Sequence, residues 1–446
     1  MYLPENVQCC IRLLENAGYP CYVVGGCVRD ALLGLQPHDY DLCTAATPDQ
    51  IKAIFRDFPQ IHAGEKHGTI GIIFPGAEVY EITTFRTEGT YGDSRHPDWV
   101  AFVTDIRQDL ARRDFTVNAM AYSPLRGFVD PFGGQQDLKN HLLRAVGVPD
   151  QRFSEDALRI LRGVRFSVTY DLIVEPATLG AMVALAPSMD MLARERVFDE
   201  LCKLLLKING KQLVAFAPII TQVIPELAAA VHFDQRNPHH RFDIYTHSAY
   251  VVEETPPQLH LRWAALLHDV GKMATFTLDD NNIGHFYGHA DAGAETAQQI
   301  LRRLKAPNDL REKVVQLIKL HMIRIEPNIK SVRRWISRLG QETFADLLAL
   351  QEADTGSKGT GVAATESTFS QLRSLAAQIQ AENACLCLRD LAVNGHDLKA
   401  LGYEGAEIGN ILHNLLDAVL DEQLPNDKQI LLSHIEKGTS LWQREK

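Results

Sequence analysis

Cys21-Tyr-Val-Val-Gly-Gly-Cys-Val-Arg-Asp-Ala-Leu-Leu-Gly-Leu-Gln-Pro-His-Asp-Tyr-Asp-Leu-Cys-Thr44 is the stretch that decides the fold of the first part of the chain. A short apolar strand, Tyr22 to Val24, runs into Gly25 and Gly26. A helical turn follows as far as Leu33, and Gly34 and Pro37 end it. A second strand carries Asp39 and Asp41. Alternate side chains of a strand share a face, so these two carboxylates point the same way and are placed to grip one metal pair. The glycines let the backbone approach a ligand, and free N–H groups at the helix start suit phosphate. Same-face carboxylates beside such a loop suit metal-assisted transfer to or from a nucleoside triphosphate.

Outward from this stretch, residues 3 to 17 read as an amphipathic helix. Thr47-Pro-Asp-Gln50 has an N-cap threonine, proline at the first helical position and glutamine at the third, which predicts a helix to Phe58. The alternating segments Thr69 to Phe74 and Glu78 to Arg86, separated by Pro75-Gly76, predict a hairpin that extends the first strands into a small mixed sheet. Glu81 on that hairpin is either a third carboxylate beside Asp39 and Asp41 or an exposed surface residue. The polar, glycine-bearing run from Thr87 to Asp98 reads as a functional loop near the site. In Asp109-Leu-Ala-Arg-Arg-Asp-Phe-Thr-Val-Asn-Ala-Met-Ala-Tyr122, the residues Arg112, Arg113 and Asp114 read as a helix start. Cations there oppose the helix dipole unless an anion such as a triphosphate sits nearby. Asp130-Pro-Phe-Gly-Gly134 closes the first domain in a turn.

Beyond about residue 140 the pattern is almost wholly helical. Ser154-Glu-Asp-Ala-Leu-Arg-Ile-Leu-Arg-Gly-Val-Arg-Phe166 reads as a helix with a capping serine, with Asp156 and Arg159 three apart on one face and Arg162 and Arg165 continuing the row. Arg196, Glu200 and Lys203 on the next helix read as a structural brace. Further on, His247, the adjacent pair His268-Asp269, His289, His321 and Asp354 form a second constellation. Four imidazoles and two carboxylates are a donor set for one or two divalent transition ions, which activate water for phosphoester hydrolysis.

At 446 residues the chain calls for two to four domains, and 46% apolar with 23% charged residues describes an ordinary globular protein. No apolar run reaches the length of a membrane span; the nearest, Leu213 to Ile224, is interrupted by Pro218, Thr221 and Gln222. The first residues lack the basic start of a signal peptide, and the eight cysteines show neither zinc spacing nor disulfide-scaffold density. These features predict a cytoplasmic, reduced protein. A net charge of −11 excludes a generally basic nucleic-acid coat. Local basic grooves stay open, at Arg159, Arg162 and Arg165 and at Arg324, Lys330, Arg333, Arg334 and Arg338.

The order Gly-Gly, Arg-Asp, Leu-Leu-Gly, Asp-x-Asp within one window resembles the signature of the nucleotidyltransferase superfamily, in particular class II tRNA nucleotidyltransferases (CCA-adding enzymes) and bacterial poly(A) polymerases. The likeness runs motif by motif through the first 210 residues. It implies an α+β chain: a nucleotidyltransferase-type mixed-sheet head (residues 1–140), an all-α neck that recognises the base (141–230), an HD body (231–360) and a helical tRNA-binding tail (361–446). By the same resemblance, Asp39 and Asp41 are the catalytic carboxylates and hold Mg²⁺. Gly25, Gly26, Arg29 and Arg113 contact the triphosphate, Asp114 lies near the ribose, Asp156 and Arg159 form a template for the base, and Arg162 and Arg165 support it. The second constellation resembles the HD phosphohydrolase superfamily, with His247, His268, Asp269, His289, His321 and Asp354 as metal ligands.

The implied activity is addition of the 3′-terminal CCA to tRNA from CTP and ATP, with an HD phosphohydrolase activity beside it. Gly64-Glu-Lys-His-Gly-Thr-Ile-Gly-Ile72 is similar to the CCA-adding type rather than to the basic segment of the polymerases. The Glu88-Gly89 and Arg95-His-Pro97 run resembles the flexible loop of enzymes that add the terminal A. Full CCA addition and A-only addition are not separated by these motifs, and a poly(A) polymerase is the enzyme alternative. The alternative of another class is an HD hydrolase whose head is a nucleotide sensor.

Overall fold

A computed structural model describes residues 1–89, 100–236, 241–357 and 362–442. Its contacts divide the chain into two compact units, Met1–Ala228 with Arg303–Ala306, and Ala229–Arg302 with Pro307–Lys446.

The first unit opens with α1 (Glu5–Asn16), whose Val7, Cys10, Ile11 and Leu14 are buried at helical spacing. β1 (Cys21–Val24) is buried at all four positions. Gly25, α2 (Gly26–Leu32), β2 (Asp41–Thr44) and α3 (Pro48–Ile54) follow. The box at α3 forms as expected: the Thr47 N–H donates to Gln50 Oε1 at 2.9 Å, and Pro48 occupies the first turn. β3 (Gln60–Ile61), β4 (Thr69–Ile73) and β5 (Val79–Thr84) come next, then the separate pair β6 (Arg86–Glu88) and β7 (Val100–Phe102). The loop expected from Thr87 to Asp98 lies mostly outside the described residues. After α4 (Ile106–Ala111), β8 (Ala121–Ser123) and β9 (Gly127–Val129) complete a seven-stranded sheet of order β3-β4-β5-β2-β1-β8-β9. β2 and β5 run parallel and the other neighbours antiparallel, so the sheet is mixed.

In β1, Tyr22 and Val24 join Cys43, Phe85, Ile106, Leu110, Ala119, Ala121 and Val146 in one apolar cluster under the sheet. Cys21 and Val23, pointing the other way, are buried too, so both faces of the central strand are covered. α5 (Gly134–Lys139), β10 (Leu142–Leu143), α6 (Pro149–Glu155), α7 (Leu158–Tyr170), β11 (Ile173–Val174), α8 (Pro176–Leu185), α9 (Arg194–Leu205), α10 (Gly210–Ala215) and α11 (Ala217–Val223) complete this unit's main elements.

Three local expectations are corrected. Ser154 does not cap a helix; it lies inside α6, which begins at Pro149, and α7 has Ala157 at its N-cap. The chain breaks at Asp156, whose backbone is extended and whose Oδ1 accepts the Leu158 N–H at 3.0 Å, so Asp156 and Arg159 do not share one helix face. Arg112 and Arg113 stand at the end of α4, not at a helix start: Asp105 caps that helix by accepting the Arg107 N–H at 2.9 Å, and Arg112 is its C-cap. Cations there complement the helix dipole instead of opposing it.

The second unit is helical: α12 (Ile244–Glu254), α13 (Leu259–Leu267), α14 (Lys272–Thr275), α15 (His289–Arg303), α16 (Asn308–Leu320), α17 (Ile329–Leu339), α18 (Gln341–Gly356) and α19 (Val362–Ala381). Trp263 and Tyr245 are among its fully buried side chains. α20 (Gly395–Ala400), α21 (Ala406–Leu420) and α22 (Lys428–Trp442) follow, with a core of their own around Leu398, Leu415, Leu416, Leu420 and Leu431. Asp397, adjacent to His396, belongs to a capping box with Asn394, so that neighbouring His and Asp serve a helix start. Among the described residues no helix is long and apolar enough to cross a membrane.

Candidate active sites

Gly25 is where the first site begins. Its φ of +74° is a conformation that L side chains rarely adopt, and a Cβ there would meet Arg113 Nη1 at 2.8 Å. The glycine therefore lets the Arg113 guanidinium lie against the backbone between β1 and α2. Gly26 is less constrained, since a Cβ would meet Arg29 Nη2 at 3.5 Å, an ordinary contact.

β2 begins at Asp41, and Asp39 precedes it, so strand alternation does not by itself align the two carboxylates. Their proximity shows instead in electrostatics. The Asp41 carboxyl, though solvent-accessible, is raised above its ordinary value by the water that neighbouring protein excludes, opposed by Arg113, and raised further by Asp39. A divalent cation would relieve that load, so the pair fits a hard metal ion. Glu81 is exposed on β5. Because Leu42 pairs with Ile82 in the parallel register, Glu81 stands beside Asp41 on the same face.

Arg113 is steered by a residue that the sequence did not single out. Asp109 is fully buried, accepts from Arg112 Nε at 3.0 Å and Arg113 Nη2 at 3.3 Å, and takes the Arg86 N–H at 3.3 Å. Burial would lower the Arg113 pKa, but Asp109 first, then Cys43 and Asp41, hold it above its ordinary value. Arg113 Nε is buried and has no hydrogen-bond partner among the described residues. The signal for Asp109 was present in the i, i+3, i+4 spacing to the two arginines, and placing them at a helix start hid it.

Asp114 is buried and saturated. It accepts the Phe115 N–H at 2.8 Å, Asn118 Nδ2 at 3.0 Å, and Arg162 through Nε at 2.9 Å and Nη2 at 2.6 Å. Against the desolvation that raises it, Arg162 and these hydrogen bonds hold its carboxyl at about 2. Asn118 Oδ1 in turn accepts from Arg29 Nη1 at 2.5 Å. Arg29 also bonds Asp30 and the Tyr170 hydroxyl, and its guanidinium lies 3.9 Å from the Tyr170 ring centre. With 5% of its surface exposed, Arg29 is a strut between α2, the 114–118 segment and α7. Asn118 and Tyr170 carry no sequence signal; Tyr170 lies 141 residues from Arg29.

Asp156 and Arg159 do not pair with each other. Asp156 Oδ2 meets Arg196 at 3.1 Å, while Arg159 Nη1 meets Glu155 at 2.5 Å and its Nη2 donates to the Arg112 carbonyl at 3.1 Å. Arg165 Nε lies 2.5 Å from Glu200, so the α9 ladder does link to the α7 region as a brace.

The second site assembles all six expected side chains in the second unit, and all are buried. Two groups of donor atoms form, His247 with His268 and Asp354, and Asp269 with His289 and His321. His247 Nε2 lies 2.9 Å from Asp354 Oδ1, His268 Nε2 3.2 Å from Asp269 Oδ2, and His289 Nε2 3.5 Å from Asp269 Oδ1 and 3.3 Å from His321 Nε2. His268, His289 and His321 direct Nδ1 to the carbonyls of Ala265, Phe286 and Ile318 at 2.8, 2.8 and 2.6 Å. In the neutral rings of His289 and His321 that bond fixes the proton on Nδ1 and turns the Nε2 lone pair inward, the usual setting of a metal-binding imidazole, and in His268 it likewise turns Nε2 inward. Burial pushes His247, His289 and His321 below the ordinary histidine value, His321 to about 4, while Asp269 and Asp354 outweigh burial at His268 and raise it to about 9. His268 Nε2 is buried without a hydrogen-bond partner among the described residues, so the set fits a transition-metal ion. Lys272 adds a buried ammonium 2.7 Å from Asp269 Oδ2 and 3.2 Å from Gln235 Oε1; its spacing three residues after Asp269 is the sequence signal that was passed over.

The mixed sheet and the Gly25–Asp41–Arg113 cluster define a nucleotidyltransferase. Residues 21–144 match the family described as the Poly A polymerase head domain, 171–230 the one described as a probable RNA and SrmB-binding site of polymerase A, and 281–435 a putative tRNA nucleotidyltransferase domain 2. The chain is 33% identical over 440 residues to the CCA-adding enzyme of Streptococcus sanguinis, covering 98% of each, and 34% identical over 441 residues to that of Limosilactobacillus reuteri, covering 98% and 97%. It belongs to the CCA-adding enzyme family. The crystal structure of the Bacillus stearothermophilus CCA-adding enzyme in complex with CTP matches over all of both chains, with 26% identity and a TM-score of 0.73. A Thermotoga maritima CCA-adding enzyme complexed with tRNA shares the fold at 20% identity and a TM-score of 0.61, over 97% and 94% of the two chains. Nucleotidyltransferases generally use divalent metals; the two donor groups found among the described residues both lie in the second unit.

Proposed function

We propose that this enzyme completes the 3′ end of tRNA, adding cytidylate from CTP and then adenylate from ATP. The observation that carries the reading is the cluster of Asp41, Gly25 and Arg113, a carboxylate, a bare backbone and a fixed cation within one corner of the sheet. When bound by Asp39 and Asp41, Mg²⁺ supplies the charge neutralisation that in-line attack of the RNA 3′-OH on the α-phosphate requires as pyrophosphate leaves. Arg113, oriented by Asp109, attracts the triphosphate, and Gly25 and Gly26 let the phosphates approach the backbone. Arg29 reaches this site through the struts it makes. Asp114 stands near the ribose with Arg162 behind it. Asp156 and Arg159 read the base by exchanging Arg196 and Glu155 for its hydrogen-bonding edge, one accepting and the other donating, with Arg165 steadying α7.

The test offers the enzyme three transcripts of one tRNA, lacking CCA, lacking only the final A, and complete, with CTP and ATP singly and together. Three additions that stop, and only with both triphosphates, are expected. One adenosine on the second transcript alone would make it an A-adding enzyme, and long ladders from ATP a poly(A) polymerase. Asp39→Asn and Asp41→Asn are each expected to lower addition by roughly 10³-fold, the equivalent of about 4 kcal/mol of transition-state stabilisation.

A second reading rests on the six convergent side chains of the second unit. His247, His268 and Asp354, with Asp269, His289 and His321, would hold a divalent transition ion, which would supply an activated water for phosphoester hydrolysis on RNA ends or nucleotides. The buried Lys272 fixes Asp269 between the two donor groups.

A further inference from the structure

We propose that the exposed face of α17 is a docking site for the phosphate backbone of RNA, with Trp335 as a stacking surface for a base. The inference rests on the proposed tRNA substrate and adds where, within the second unit, that RNA is held.

α17 carries Lys330, Arg333, Arg334 and Arg338 and no carboxylate, in a chain whose net charge is −11. Val332 and Ile336 are buried and anchor one side of the helix. Lys330, Arg334 and Arg338, at i, i+4 and i+8, form one exposed row on another. Asn328, Lys330, Ser331, Arg334, Trp335 and Arg338 line a cavity of about 430 Å³. The Arg338 guanidinium lies 5.5 Å from the Trp335 ring centre.

The basic stretch is sorted by its partners. Arg333 is committed to Glu422 at 2.6 Å and Glu382 at 3.2 Å and does not line the cavity. Lys330 and Arg334 share the single carboxylate oxygen Asp421 Oδ2, at 3.3 and 2.6 Å. Arg338 has no ion-pair partner among the described residues. Three cations therefore meet one carboxylate, and the excess faces the cavity. Eight residues of helix span about 12 Å, longer than one phosphate, so the row fits a run of phosphodiesters better than a single anion. An aromatic ring set among cations is the pairing that holds successive bases and their backbone together, and stacking on such a ring is worth about 1–3 kcal/mol per base. An acidic protein would satisfy the cations but leave the ring without a planar partner.

The experiment measures the affinity of the full-length enzyme for a tRNA transcript between about 50 and 200 mM salt, a range in which phosphate contacts dominate the salt dependence. The variants are Lys330→Ala/Arg338→Ala, Trp335→Leu, and Arg302→Ala, an exposed cation of α15 outside the cavity. The double variant is expected to flatten the slope of log K against log salt by about 2, about 1 per cation removed; Arg334 still holds Asp421 in it. Trp335→Leu is expected to weaken binding at every salt without altering the slope, and Arg302→Ala to match the parent. KM for CTP at saturating tRNA stays unchanged throughout. A parental slope in the double variant overturns the proposal, as does an equal effect from Arg302→Ala. If the unaltered enzyme neither binds nor extends tRNA, the functional reading falls as well; if it extends tRNA while the variants behave alike, only this site falls.

Discussion

Asp114 shows how one side chain couples stability to the site. Its folded value of about 2 lies below its ordinary value, so its ionised form stabilises the fold above pH about 4. That contribution, about 2 kcal/mol, is lost as pH falls from about 4 to about 2. Asp114→Asn is therefore expected to melt several degrees lower at pH 7, with the gap from the parent closing as pH approaches 2; a gap independent of pH would deny Arg162 its role. Glu81 offers a different test. Because it is exposed, Glu81→Gln should leave the melting temperature unchanged, and because it stands beside Asp41 it should raise the Mg²⁺ concentration for half-maximal addition several-fold. An unaltered metal requirement would leave it a surface residue. At this scale the sequence was legible where a residue sits inside a dense local motif: Gly25, Asp41, Arg113 and the His268-Asp269 pair. Asn118 and Tyr170 act on Arg29 across 89 and 141 residues, and no local pattern records such pairings.

Elements were legible where the caps are local and unambiguous. Thr47 and Gln50 formed their box, and Pro75-Gly76 turned its hairpin. They were misread where two start signals compete. Pro149 begins α6 before Ser154 can cap anything, and Asp156, by taking the Leu158 N–H, resets the backbone so that α7 starts afresh. The consequence bears on the proposed function, because Asp156 and Arg159, the residues proposed to read the base, flank a junction between helices instead of lying along one. α7 itself is seated by Gly163. A Cβ there would come 2.9 Å from Phe115 Cζ and 3.0 Å from Met182 Cε, both in the core. Helical propensity favours alanine by about 1 kcal/mol, while overpacking typically costs about 1–3 kcal/mol. Gly163→Ala is thus expected to be neutral to about 2 kcal/mol destabilising, and to weaken discrimination of CTP and ATP from GTP and UTP, because it shifts α7 away from Phe115 and with it Arg159 and Arg162. A more stable enzyme with unchanged base choice would mean that the helix can move without consequence.

At the scale of the molecule, the two proposed sites fall in different compact units, Asp39 and Asp41 at the start of β2 in the mixed sheet and a histidine-rich constellation among helices. The α+β order of sheet first and helices after followed directly from the change of period near residue 140. The bounds of the two units did not, because contacts rather than motifs decide them. Separate units predict separable functions. His268→Ala/Asp269→Ala removes one donor from each group of three, and with Asp269 the partner of Lys272. The double variant is expected to lose the divalent transition metal that the parent retains through dialysis, measured by elemental analysis, and to lose phosphate release from a nucleotide 2′,3′-cyclic phosphodiester and the phosphomonoesters it yields. Addition of CCA to a tRNA transcript should stay within about twofold of the parent, since Asp39, Asp41 and Arg113 belong to the other unit. Removing Asp269 leaves Lys272 buried beside Gln235 without its carboxylate, which destabilises the helices around it by a few kcal/mol. Lys272→Met in the same background restores that loss if it is electrostatic, and then metal content alone separates the two interpretations. A parent that retains no metal, or a variant that loses hydrolysis and addition together at a temperature where both units remain folded, would return the six residues to a structural role.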